Sequence, residues 1–200
     1  FTGLVDDASA ARQAIDRAAG HGPVVVCGHS YGGRVISRAA SAHPAVGHLV
    51  YLAAVQNEDS FYAGGDRALE AASDPASLMS VVRTDAQGWS TVDPDAASSF
   101  LFHDVAPEVA AAAAAQLRSM EVGPMAPVPA GTDVVPAAWR SVESTYVVCA
   151  DDRSIAPGAQ RAMARNADHV RVLPMGHSPM LSRPELVVEI LVDIVSAHPG

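Results

Sequence analysis

The sequence predicts an α/β fold in which a parallel sheet is flanked by helices. Three observations carry this. Short apolar runs such as Val24 to Cys27 (VVVC) and Thr145 to Ala150 (TYVVCA) read as strands buried on both faces of a parallel sheet. Helical patterns alternate with those runs. A Gly-rich turn, Gly28 to Gly33, joins one strand to the helix after it.

Taken in order, Asp6 to Ala19 carries Ala8, Ala11, Ile15 and Ala18 at helical spacing, and Gly20, Gly22 and Pro23 stop it. The strand Val24 to Cys27 follows. Arg34 to Ala42 reads as a helix closed by His43 and Pro44, and Val46 to Ala54 as a second buried strand, which completes one βαβ unit. From about Gln56 to Arg140 aromatics, prolines and acidic turns interrupt an Ala-rich helical stretch, Pro107 to Met120, and no β-type run appears. That segment predicts a helical insertion or cap. Met120 to Pro136 is dense in Pro and Gly and reads as an extended loop. The strand at Thr145 to Ala150 is followed by a helix from about Pro157 to Asn166. A strand from His169 to Leu173 and an amphipathic helix from Pro184 to Ala197 complete the chain. The expected division is core over 1–55, helical cap over 56–140 and core over 141–200, with no internal repeat.

Composition narrows the function. A chain of 200 residues, 49% hydrophobic, fills one compact domain. Its 22 acidic and 13 basic side chains give a formal charge of -9, with no Lys/Arg cluster to neutralise phosphates, so nucleic acid is excluded as an expected partner. No apolar run approaches the roughly 20 residues needed to span a bilayer, and Phe1 to Asp7 lacks a signal-peptide profile. The expectation is a cytoplasmic protein without a membrane partner. Cys27 and Cys149 each sit in an apolar run, where free cysteine behaves as a small hydrophobe, so neither a disulfide nor a cysteine metal site is expected.

Gly28-x-Ser30-x-Gly32 between a strand and a helix is a nucleophile-elbow pattern. So sharp a turn drives the serine toward strained backbone angles and brings neighbouring chain close, so side chains two residues either side would clash. Gly33 adds room for the helix to pack. The hydroxyl then projects from the C-terminal edge of the sheet, above a helix N-terminus that favours developing negative charge. A serine hydroxyl requires a base. Of eight histidines, His21, His43 and His198 fall in expected surface turns and His48 within a strand. His29 lies beside the serine but is expected to point away from it, His103 is in the cap, and His169 begins a strand. His177 follows the last strand through Pro174, Met175 and Gly176, at the edge where the elbow opens. The base requires an acid to fix its tautomer. Asp151 and Asp152 both leave the preceding strand at that edge. Asp152, one residue deeper into the loop, is preferred, and Asp151 is then a turn or capping residue.

In that order GHSYGG, CADDRSIAP and GHSPMLSRP resemble the α/β-hydrolase branch that holds plant methyl-ester esterases, hydroxynitrile lyases and their bacterial relatives. The similarity extends to FHDVAPEVA and AAWRSVESTYVV, and so to nearly the whole chain. The resemblance implies an α/β-hydrolase-type sheet with Ser30 as nucleophile and His177 as base. It implies Asp152, five residues before Pro157, as the acid, and the Tyr31 backbone N–H as half of an oxyanion hole. Hydroxynitrile lyases of this type place a lysine directly after the catalytic histidine. Ser178 stands there instead, which argues against lyase activity. Ser30 also departs from the aspartate nucleophile of dehalogenases and epoxide hydrolases of the wider fold. Relatives carry early strands and a His-Gly loop, the source of the second oxyanion donor, ahead of the helix at Asp6. Their absence from this sequence leaves the Val24 strand as a bare edge, so a missing N-terminal segment or a second chain, as in a homodimer, is expected to complete the sheet.

The reaction expected is hydrolysis of small or medium carboxylic esters through an acyl-enzyme, with no metal or organic cofactor required. Tyr31 and Met180, beside the triad positions, are expected to touch substrate. Phe61, Tyr62, Trp89, Phe100, Phe102, Met120 and Met125 either wall the pocket or fill ordinary core. The same triad would fit an amide, lactone or thioester hydrolase or a perhydrolase, and the fold could also serve as a small-molecule receptor.

Overall fold

The computed structural model describes residues 3–57, 78–121 and 133–197. The chain opens with α1 (Leu4–Ala19), β1 (Val24–His29), α2 (Gly32–Ala39) and β2 (Val46–Leu52). An inserted segment follows with β3 (Val82–Thr84), β4 (Trp89–Val92), α3 (Pro94–Leu101), α4 (Pro107–Ala114) and β5 (Met120–Glu121). The chain returns through β6 (Ser144–Cys149), α5 (Pro157–Met163), β7 (His169–Leu173), α6 (Pro179–Ser182) and α7 (Pro184–Ala197).

The main sheet is parallel throughout, in the order β1-β2-β6-β7. Its register aligns His29 with Leu52, Leu52 with Val147, and Cys149 with Leu173. The loops that leave these strands therefore open at one edge. Alternation along the strands sends side chains to two cores. Leu49, Tyr51, Tyr146 and Val148 meet Ile15, Ile36 and Met163 on the face of α1, α2 and α5. Val50, Leu52 and Val147 meet Val187, Ile190, Leu191 and Ile194 of α7 on the other. Full burial of side chains of this size contributes roughly 1.5–3 kcal/mol each. The face of α7 turned away from the sheet is left open, with Val188, Val192 and Val195 each more than half exposed.

Three expectations need correction. First, β1 is not buried on both faces: it lies at the end of the sheet order, Val24, Val25 and Val26 are only half buried, and Cys27 is exposed. A strand with one neighbour lacks cover that β2 and β6 obtain from both sides. Second, the insertion is not purely helical, because β3, β4 and β5 form an antiparallel sheet. Gly88, at φ 87, turns the β3–β4 hairpin while Asp85 Oδ1 accepts the N–H groups of Gln87 and Trp89. Third, His43 is buried rather than in a surface turn, with Nε2 3.0 Å from Asp16 Oδ1.

Phe61, Tyr62, Met125 and His198 lie outside the described residues. Phe102 is buried with Val105, Ala110 and Ala114 in the insertion's own core, while Trp89 is exposed. Among the described residues, no helix is long and apolar enough to cross a membrane.

Candidate active site

Ser30 occupies the turn between β1 and α2 with φ 54, a left-handed conformation that costs a non-glycine residue on the order of 1–3 kcal/mol. The neighbouring chain holds it there. The Ser30 N–H donates to the Leu52 carbonyl at 3.4 Å, and the Ser30 carbonyl accepts from the N–H groups of Val55 at 2.9 Å and Gly33 at 3.1 Å. Two glycines make this approach feasible. A Cβ on Gly28 would stand 2.6 Å from the Gly32 carbonyl oxygen, and one on Gly33 would stand 2.4 Å from that of Val55. Gly32 differs from the expectation of a clash on either side, since a Cβ there meets nothing within 4 Å.

His177 is reached from β7, and its ring is buried. Nδ1 lies 2.7 Å from Asp152 Oδ2. A carboxylate accepts only, so Nδ1 carries the proton and Nε2 is the nitrogen left basic. Asp152 is itself buried and fully engaged. Its Oδ1 accepts from the Ser154 and Ile155 N–H groups at 2.7 and 2.9 Å, and its Oδ2 also accepts from Gln160 Nε2 at 2.7 Å. Asp151 is exposed, and its backbone N–H donates to the Met175 carbonyl at 3.0 Å, which ties the acid loop to the histidine loop.

His29, the residue before Ser30, ties the elbow to the histidine loop. The rings of His29 and His177 are 4.7 Å apart, and His29 Nε2 lies 2.7 Å from the His177 main-chain oxygen. Burial, then the neighbouring His177, depress the His29 pKa to about 4, so at neutral pH it is an uncharged donor. His29 thus faces the histidine loop. Among the described residues, the Ser30 hydroxyl makes no hydrogen bond to the His177 ring.

The two expected substrate contacts are otherwise engaged. The Tyr31 hydroxyl donates to Asp7 Oδ2 of α1 at 2.8 Å, and Met180 packs on the apolar cluster under α7. Tyr31 does stand at the N-terminal cap of α2, directly after the elbow serine. Nothing in the sequence marks Gln160, inside a helix, as part of the site. Besides Asp152 it holds the Ile155 carbonyl through Nε2 at 2.8 Å, and its Oε1 accepts the Cys149 N–H at 2.9 Å, so it braces the acid loop from within α5. Cys27 and Cys149 are both free. Burial and then the charge of Asp152 push the Cys149 thiol up to about 12, which leaves it inert at neutral pH. Among the described residues, no group of three or more His, Cys, Asp or Glu side chains converges to hold a metal ion.

Comparison with known proteins agrees with this architecture. Residues 1–190 match the alpha/beta hydrolase family. The alpha/beta hydrolase nvfD of Aspergillus novofumigatus is 30% identical over 201 residues, spanning 93% of this chain and 76% of that protein. Three solved structures share the fold. Polyneuridine aldehyde esterase has a TM-score of 0.66 at 19% identity, covering 86% of this chain and 72% of its own. A pyrethroid hydrolase from Sphingobium faniae has 0.68 at 21%, covering 93% and 76%. A methylesterase from Arabidopsis has 0.64 at 21%, covering 88% and 70%. With its parallel sheet and strained serine elbow, the chain belongs to the alpha/beta hydrolase family, as a hydrolase.

Proposed function

We propose that the chain is a serine hydrolase that cleaves small or medium carboxylic esters, with Ser30 as nucleophile, His177 as base and Asp152 as the acid that orients the base. The observation that carries this reading is the buried Asp152–His177 hydrogen bond of 2.7 Å at the edge from which Ser30 projects. Serine, His177 and Asp152 arise from three loops that share that edge, and ester hydrolysis is the simplest chemistry that uses all three.

In the forward step Ser30 Oγ attacks the ester carbonyl while its proton passes to His177 Nε2. Asp152 holds the resulting imidazolium in place. The tetrahedral oxyanion is stabilised by the Tyr31 N–H, and the proton on His177 leaves with the alcohol. Water then attacks the acyl-enzyme, giving its proton to His177 Nε2, and Ser30 is regenerated as the acid departs. The Ser30–His177 hydrogen bond closes when substrate is bound.

The inserted segment, which reaches the histidine loop through Asp104, serves as the cap over these residues. The outer edge of β1, unpaired among the described residues, is completed by a further strand of the same or a second chain, which brings a second oxyanion donor. Two free thiols suit a reducing compartment, and a cytoplasmic location is part of the proposal. Its partner is the small ester itself.

The experiment is turnover of a short-chain nitrophenyl ester by the full chain and by Ser30→Ala. The variant is expected to fold and lose hydrolysis, and retained turnover would refute the assignment. A parallel panel of amide, lactone and thioester substrates fixes the acyl class.

A further inference from the structure

One side chain of the insertion reaches the histidine loop. Asp104, in the turn between α3 and α4, accepts the Gly176 N–H on Oδ2 at 2.7 Å. A Cβ on Gly176 would stand 2.5 Å from Asp104 Oδ1 and 2.7 Å from His103 Cε1. A side chain at 176 would have to push the Asp104 carboxylate and the His103 ring aside, so the glycine leaves the room in which the carboxylate closes on the peptide. Gly176 is the residue before His177. The other side of His177 is held by His29 at the carbonyl, and its ring by Asp152. His177 and the peptide before it are therefore held at three points, two on the backbone and one on the ring, from three separate parts of the chain.

We propose that Asp104 is a positioning residue for the base: from the inserted segment, its carboxylate fixes the Gly176–His177 peptide and so aims the imidazole at Ser30. This rests on the reading of His177 as the base. Asp104 touches neither substrate nor reacting atoms. It is otherwise exposed, so truncating it leaves no buried group of its own unsatisfied. What truncation removes is a short charge-assisted bond at the peptide that carries the base, where a displacement of about 1 Å can lower a rate on the order of 100-fold.

The test compares Asp104→Ala with Asp104→Asn in the full chain. It follows kcat and KM on a nitrophenyl ester and the His177 Nδ1 proton resonance by NMR. The asparagine oxygen can still accept the Gly176 N–H, whereas alanine offers no acceptor. Asp104→Ala is expected to lower kcat roughly 10- to 100-fold with KM changed less than about twofold, and to shift or broaden the Nδ1 resonance. Asp104→Asn is expected to recover most of both. Unchanged kcat and resonance in Asp104→Ala, or no recovery with asparagine, would overturn the proposal. If His177→Ala keeps its turnover, it is the assignment of the base that fails, and the resonance still reads whether Asp104 holds the loop.

Discussion

His29 Nε2 lies 2.7 Å from the main-chain oxygen of His177, so the residue before the elbow serine grips the loop that leaves β7. The elbow and the histidine loop are thereby locked to each other through a neutral imidazole.

That lock has a pH signature. The folded-state pKa of His29 lies near 4 against an ordinary value of 6.5, so the folded state resists protonation. The stability it holds is complete above about pH 6.5 and is lost as pH falls toward 4, on the order of 3 kcal/mol in all. Chemical denaturation from pH 7 to pH 4 should show this loss, and His29→Gln should flatten it. An equal loss in the variant would place the acid sensitivity elsewhere.

Asp152→Asn should keep the fold and forfeit the tautomer. An amide that donates to Nδ1 leaves the proton on Nε2, where the base must be free, and kcat should fall roughly 10⁴-fold with KM little changed. Asp151→Asn should stay within about twofold, because that side chain is exposed and removed from the ring. Steady-state kinetics of the two variants decides between the adjacent aspartates.

The elbow glycines should separate cleanly. Gly33→Ala must drive a Cβ into the Val55 carbonyl and is expected to cost about 1–3 kcal/mol or more. Gly32→Ala enters open space at the start of α2 and should be neutral or stabilising by up to about 1 kcal/mol. Urea denaturation of both variants measures the contrast, and equal destabilisation would contradict the packing described.

Gln160→Leu should weaken both fold and site. It strips a buried partner from Asp152, the Ile155 carbonyl and the Cys149 N–H at once, at roughly 1–3 kcal/mol for each group left unsatisfied. A thermal midpoint equal to that of the parent would show that water or a neighbouring group replaces it.

β2 and β6 were legible because parallel strands at the centre of a sheet are rich in buried apolar residues, and they fall where the runs Val46 to Ala54 and Thr145 to Ala150 place them; β7, the other end strand, was legible at His169 to Leu173 from its β-branched residues and its place between two helices. β1 reads the same way, yet an edge position is a property of its neighbours and leaves no mark in VVVC. The β3–β4 hairpin was hidden because its strands are short and its turn, Asp85 to Gly88, looks like one more polar interruption. Ser30, Asp152 and His177 stand out by their position after strands. His29, Gln160 and Asp104 do not, because each acts through a hydrogen bond to a residue distant in sequence, and no spacing records that. Tyr31 and Met180 likewise have partners that no spacing records, Asp7 for the hydroxyl and the cluster under α7 for the thioether.

Labelling with a fluorophosphonate reads whether His177 activates Ser30. Mass spectrometry of the digested adduct should find the phosphonyl group on the peptide that contains Ser30, with a labelling rate in His177→Ala lower by roughly 10³-fold or more. An unlabelled Ser30 in a chain that still turns over ester, or equal labelling with and without the imidazole, would rule out His177 as the group that activates Ser30.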